Sequence, residues 1–130
     1  MRGVLQIRRA NVPNSSKFFT VTRIEGIPEI VLSKADFVSR PIIVLAQEEL
    51  LGYIDQNKPS RLIINFKNVT HISSEFITAL IRIQDHVKGH NGQMKLTHMN
   101  DTVLAPFKIT HLAGRLFLIY DTTPQAVDAF

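Results

Sequence analysis

The chain has 130 residues, 45% of them hydrophobic and 20% charged, with no cysteine and a formal charge of +4. That length and balance fit one globular domain whose core is large enough to stand without covalent staples. The missing cysteine excludes disulfides and thiolate metal sites.

The basic residues are interleaved with acids everywhere except in Met1–Arg9, which carries Arg2, Arg8 and Arg9. A thinly spread excess of this kind reads as a solvated surface and predicts no direct contact with nucleic acid. The longest apolar runs, 42–46 and 116–120, fall far short of the roughly 20 residues that span a bilayer. Near the start, Val4, Leu5 and Ile7 are too few and too interrupted for a signal peptide. The expectation is a cytoplasmic protein that makes no contact with a membrane.

Residues 1–16 read as an N-terminal extension ending in the turn-rich Asn11, Pro13, Asn14, Ser15 and Ser16. The extension is expected to be dispensable for folding, with the domain spanning 17–130.

Within the domain, 18–25 (FFTVTRIE) alternates and is β-branched, the mark of a strand. Gly26-Ile27-Pro28 reads as a turn and 29–33 as the second strand of a hairpin. Pro41 suits the first turn of a helix, and Ile43, Gln47, Leu50 and Ile54 recur at helical spacing up to Asp55. Arg61 to Phe66 (RLIINF) is an unbroken apolar run between turn residues, as in a strand buried on both faces. A loop is expected over 67–72. A long helix follows over 73–88, with Gly89 expected in the left-handed position that closes it. Gln93 to Thr97 reads as a strand and 102–109 as a short helix limited by Pro106. Residues 115–120 read as a last strand and 123–130 as a last helix. Strands alternating with helices predict one α/β domain: a mixed, mostly parallel sheet flanked by about four helices.

Four segments in this order resemble the STAS family, named for sulfate transporters and anti-sigma factor antagonists. Residues 62–69 (LIINFKNV) look like its central strand and the following turn. Ile72-Ser73-Ser74 stands where the family has Asp-Ser-Ser-Gly opening a helix. That helix ends near Gly89 and is followed by Met94-Lys95-Leu96. Phe107-Lys108-Ile109-Thr110-His111-Leu112 and Leu116-Phe117 resemble the closing Phe-x-x-Thr-x-Leu and Leu-Phe. The resemblance covers 17–130. It implies an anti-sigma factor antagonist that binds an anti-sigma factor, usually a serine kinase, and so regulates sigma-factor-dependent transcription. The family's regulatory serine falls on Ser74. Ser73 replaces the Asp of the motif, Glu75 the second Ser and Phe76 the Gly, so Ser73 is the rival phosphorylation site.

A serine at this place also has a purely structural use, because its hydroxyl can cap an unpaired backbone N–H at the helix start for about 1 kcal/mol. Phosphorylation there would add nearly two negative charges that a helix N-terminus tolerates, changing the surface more than the fold.

Along the long helix, Phe76, Leu80, Ile83 and Val87 form one stripe, widened by Ile77 and Ile81 on one side and Ala79 on the other. The apolar arc covers about 200°, whereas packing on one sheet needs little more than about 100°. The helix is therefore either buried between neighbours or exposes an apolar side. The resemblance implies that Ile77, Leu80 and Ile81 point inward. Phe76 and Ile83 would then lie at the outer edge beside Ser73, Ser74 and Glu75, the five together forming a partner-binding surface.

Other constellations predict no chemistry. His86 and His90 are four apart on the helix but lack a third ligand, so no metal site is expected. His71 beside Ser73 and Ser74 has no nucleophile elbow. No Gly-rich phosphate loop occurs, and no cofactor is expected. The reading is of a binding protein that is not an enzyme, with weak homodimerisation as a further possibility. Two alternatives stay open. One is a STAS module acting as a scaffold in a stress-signalling assembly or as a subunit of a lipid-transport complex. The other is a small enzyme or nucleotide-binding protein.

Overall fold

The computed structural model describes residues 16–130, and all but the last residue of the expected extension 1–16 lie outside the described residues. The elements run β1 (Phe19–Ile24), β2 (Ile27–Leu32), β3 (Asp36–Phe37), α1 (Arg40–Asn57), β4 (Arg61–Asn65), β5 (His71–Ile72), α2 (Ser74–Gly89), β6 (Gln93–Thr97), α3 (Asp101–Ile109), β7 (Leu118–Tyr120) and α4 (Thr123–Asp128). Five strands form one sheet in the order β1-β2-β4-β6-β7. β1 and β2 are an antiparallel hairpin, and the remaining pairs are parallel. This is the expected α/β domain with a mixed, mostly parallel sheet and, among the described residues, four helices.

Glu25 (φ 51°) and Gly26 (φ 80°) make the hairpin turn. Two successive left-handed residues match the twist of the strands they join. The turn thus sits one residue earlier than the sequence reading placed it, and Ile27 and Pro28 belong to β2.

β4 is the central strand, and its side chains alternate between two cores. Leu62 and Ile64 join the larger core with Leu96, Leu50, Leu80, Val103 and Phe107. Ile63 turns to the other face, where it meets Ile27 and Ala126 beneath α4. The unbroken apolar run of the sequence is the consequence of these two covered faces.

α2 lies between α1 and its other neighbours, which accounts for its wide apolar arc. Phe76, Ile77, Ala79, Leu80, Ile83, Gln84 and Val87 are all buried. Gln84, a polar residue on that buried side, donates its amide N–H to the Leu116 carbonyl. Gly89 is the last helical residue rather than the left-handed one, and Asn91 takes the positive φ of 65°. Gly92 is needed for a different reason: a Cβ there would stand 2.5 Å from the Pro59 carbonyl.

α4 is only six residues long and needs help to form. Thr122 and Gln125 cap it reciprocally. Thr123, its first residue, donates to Glu29 Oε2 at 2.7 Å, while Asn65 Nδ2 donates to the same oxygen at 2.9 Å. Burial alone would raise the Glu29 pKa. The hydrogen bonds from Thr123, Asn65 and Thr22, with the nearby His98, outweigh it and hold the carboxyl below its ordinary value. On the same face, burial lowers the pKa of Lys95, whose ammonium lies 4.3 Å from the centre of the Phe130 ring and 5.6 Å from that of Tyr120.

The depressed carboxyl of Glu29 sets the sign of a pH dependence. Its stabilising contribution is fully present above the ordinary value of 4.5 and is lost as pH falls through the lower folded value. Wild type should therefore melt above Glu29→Gln near neutrality, with the gap closing as pH falls below 4.5. Melting curves for both proteins across that range check it. A gap that widens on acidification would contradict the assignment.

Candidate functional site

The start of α2 is set by a short strap. After β4 the chain turns at Lys67 and Asn68, and β5 then pairs in parallel with β3. Thr70 and His71 donate their backbone N–H groups to the Ala35 carbonyl, and Ser73 N–H donates to Phe37 O at 3.0 Å. These bonds fix the residue from which the helix springs. Ser73 is extended (φ −104°, ψ 169°), and its carbonyl accepts the first helical hydrogen bonds from Phe76 and Ile77.

The two serines have different environments. Ser73 occupies the N-cap position, yet its side chain makes no capping bond. Its Oγ is buried and has no hydrogen-bond partner among the described residues. Ser74, the first helical residue, is exposed, and so is Glu75 after it. The Glu75 carboxylate accepts from Arg40 Nη1 at 2.7 Å, tying the first turn of α2 to the first residue of α1. Both side chains are well exposed, so this pair positions more than it stabilises. His71 Nδ1 lies 3.3 Å from Asp36 Oδ1 on β3. Beside it runs a shallow groove lined by Lys34, Asp36, Val38, Ile42, His71 and Ile72, with Val38 48% exposed.

The expectation for Phe76 and Ile83 is corrected. Neither lies at an outer edge: both are fully buried. The Phe76 ring stacks on Phe37 with centroids 4.5 Å apart and meets Phe66 edge-on at 6.4 Å. The slot that a glycine leaves empty is lined here by two other aromatic rings, so the larger side chain is core. Ile83 is covered because α1 packs along α2, in the same buried cluster as Leu50 and Ile54. Ile77 and Leu80 point inward as the resemblance implies, and Ile81 is half-buried against the core. The exposed members of the expected surface are thus Ser74 and Glu75, with Ser73 half-buried between them and the strap.

The sequence reading missed the strap, Phe37 and Arg40. Two-residue strands carry no periodicity, and the Arg40–Glu75 pair joins residues 35 apart.

His86 and His90 are engaged separately. His86 Nδ1 is 3.1 Å from Asp55 Oδ1, and His90 Nε2 is 2.8 Å from the Pro59 carbonyl. Among the described residues no group of three or more His, Cys, Asp or Glu side chains could hold a metal ion. No described helix is long and apolar enough to cross a membrane.

Two stability measurements follow. Phe76→Ala should cost about 3–5 kcal/mol, the price of a fully buried aromatic, and denaturant titration reads it directly. A cost below about 1 kcal/mol would place the ring outside the core. Ser73→Ala should cost less than the ~1 kcal/mol of a working cap, because no cap bond is lost and an unpaired buried hydroxyl is removed. A loss of about 2 kcal/mol would show that the hydroxyl is hydrogen-bonded in solution.

Comparison with known proteins agrees with this architecture. The STAS domain family model matches residues 25–126. No curated protein sequence matches the chain. Among solved structures, an anti-sigma-factor antagonist (STAS) domain protein from Planctomyces limnophilus superposes with a TM-score of 0.72 at 18% identity, covering 85% of this chain and 96% of that one. The anti-sigma factor antagonist SpoIIAA in its unphosphorylated form gives 0.68 at 17% identity, covering 85% and 94%. The phosphorylated form of the Bacillus cell fate determinant SpoIIAA gives 0.62 at 16%, covering 85% and 97%. At these identities the likeness is one of fold, while the family model spans most of the sequence. The chain belongs to the STAS domain family.

Proposed function

We propose that this protein is a cytoplasmic anti-sigma factor antagonist. It binds an anti-sigma factor of the serine-kinase type and releases it when Ser74 is phosphorylated. The observation that carries the reading is the position of Ser74: an exposed hydroxyl on the first residue of α2, two residues beyond Ile72, which lines a groove of mixed polar and apolar side chains. The family and the structural neighbours named above support the general role. The burial of Ser73 Oγ favours Ser74 over Ser73, because a kinase must reach the hydroxyl it modifies.

The physics of the switch is local. A phosphate on Ser74 would sit at the positive end of α2, where backbone N–H groups lack helical partners. Arg40, already held at Glu75, supplies a cation beside it. The folded state would therefore bear the charge at little cost. A partner docked on Ser74, Glu75 and the groove residues Val38 and Ile42 would instead have to desolvate it. The output is a change of surface rather than of fold.

Binding of the full chain to the kinase-type anti-sigma factors of its host tests the reading. Ser74→Ala should bind like wild type. Ser74→Asp should lose affinity by about a hundredfold or more at nearly unchanged melting temperature. Loss with Ser73→Asp but not Ser74→Asp would move the site by one residue. Unimpaired binding by both Asp variants would leave a constitutive binding module, and no binding to any such factor would refute the role.

A further inference from the structure

We propose that the cleft between the β1–β2 hairpin turn and the α1–β4 connection is an anion site that holds the phosphate group of a phosphomonoester. It lies at the opposite end of the sheet from Ser74 and does not depend on the anti-sigma reading.

β2 and β4 run parallel, so the turn that precedes β2 and the connection that precedes β4 meet at one end of the sheet. Between them is a cavity of about 260 Å³. Arg23 lines it from β1, Lys58 from the residue that closes α1, and Arg61 from the first residue of β4. These three cations are scattered in the sequence, and only the fold gathers them. No Asp or Glu side chain lines the cavity. None of the three cations joins an ion pair among the described residues. Glu25, beside Arg23 in the turn, joins none either, and Asp55, in the last turn of α1, lies against His86.

The surrounding backbone does not supply the missing negative charge. The Gly26 carbonyl accepts from Arg23 Nη1 at 2.9 Å and the Ile54 carbonyl from Lys58 N–H at 2.8 Å. The Pro59 carbonyl is met by His90 Nε2 at 2.8 Å, and the Ser60 carbonyl accepts from Gln93 N–H at 2.9 Å. The carboxyl end of α1 contributes only about half a negative charge. More than two positive charges therefore stay uncompensated, against the nearly two negative charges of a phosphomonoester near neutrality.

The donors suit the same group. Arg23 spends one Nη on Gly26 and keeps its other N–H groups, the Arg61 guanidinium and the Lys58 ammonium have no acidic partner, and Ser60 adds a hydroxyl. Guanidinium forks and a lysine point charge are the side chains that recognise phosphate oxygens. An anion in the cleft also relieves the mutual repulsion of the three cations. All three are exposed, so solvent and salt screen the site and its affinity is modest.

The test titrates the full chain with glycerol 3-phosphate at constant ionic strength and follows the backbone amides of Gly26, Ser60 and Arg61 by NMR. A second arm sediments the chain with phosphatidylcholine vesicles containing phosphatidic acid, which carries the same group on a lipid. The amides should shift saturably with glycerol 3-phosphate. Arg61→Gln and Lys58→Gln, on different elements so that one can decide should the other fold poorly by circular dichroism, should each weaken binding about tenfold. Lys108→Gln, on α3 and outside the cleft, should leave it unchanged. Saturation by the soluble probe alone identifies small phosphorylated molecules as the source of the group, and vesicle binding lost in the same variants identifies a lipid headgroup. Binding in neither arm, or binding indifferent to both substitutions in the cleft, would overturn the proposal.

Discussion

The contact between Phe37 and Phe76 is the interaction on which the rest of the site depends. It joins the strap to the first turn of α2 by ring stacking, while the Ser73 N–H to Phe37 carbonyl bond joins the same two segments through the backbone. Phe66, at the end of β4, closes the cluster edge-on. Three segments far apart in sequence thus meet at one point, and the direction in which α2 leaves the sheet is determined there. Because Phe76 is drawn inward, the helical residues one and two positions before it face outward. Ser74 and Glu75 are exposed as a consequence of where Phe76 is buried.

The opposite face of the sheet solves a different problem. α4 is too short to stand by propensity, and only a few apolar residues lie beneath it. It is held instead by polar contacts: the capping box at its start, Thr123 on Glu29, and Asn65 on the same carboxylate. Glu29 links the hairpin, the central strand and the last helix through one side chain. A half-buried carboxylate is costly unless its oxygens are satisfied, and here several donors converge on it. The two faces therefore differ in kind, one held by packed aromatics and aliphatics, the other by a small hydrogen-bonded network.

Much of this was legible in the sequence where a physical pattern repeats. The Leu62-Ile63-Ile64 run marks a strand covered on both sides, and it is the central strand. Residues 93–97 read as a strand and form β6 over the same span. The apolar excess of the long helix announced burial between neighbours or an exposed stripe, and the presence of α1 alongside decides for burial. What could not be read was every feature made by pairing distant, short pieces. β3 and β5 are two residues each, and Phe37 gives no sign of the ring it will meet. The position of Phe76 misled for a related reason: its slot exists only because Phe37 and Phe66 line it. Of the candidate site, the sequence showed a helix start bearing two serines. Which hydroxyl is exposed depends on the strap, and so on contacts that leave no periodic trace.

The proposed switch at Ser74 requires a framework that stays fixed while one patch of surface changes charge. The strap, the aromatic cluster and the Arg40–Glu75 pair supply that fixity around Ser74. The most direct test is to compare backbone amide NMR shifts of the chain with and without phosphate on Ser74. Changes should be confined to the first two turns of α2, Arg40 and the adjoining strap, with β4, β6 and α4 unmoved. Changes spread through β4 and β6 would contradict it, because the phosphate would then be remodelling the fold rather than recharging one patch of its surface.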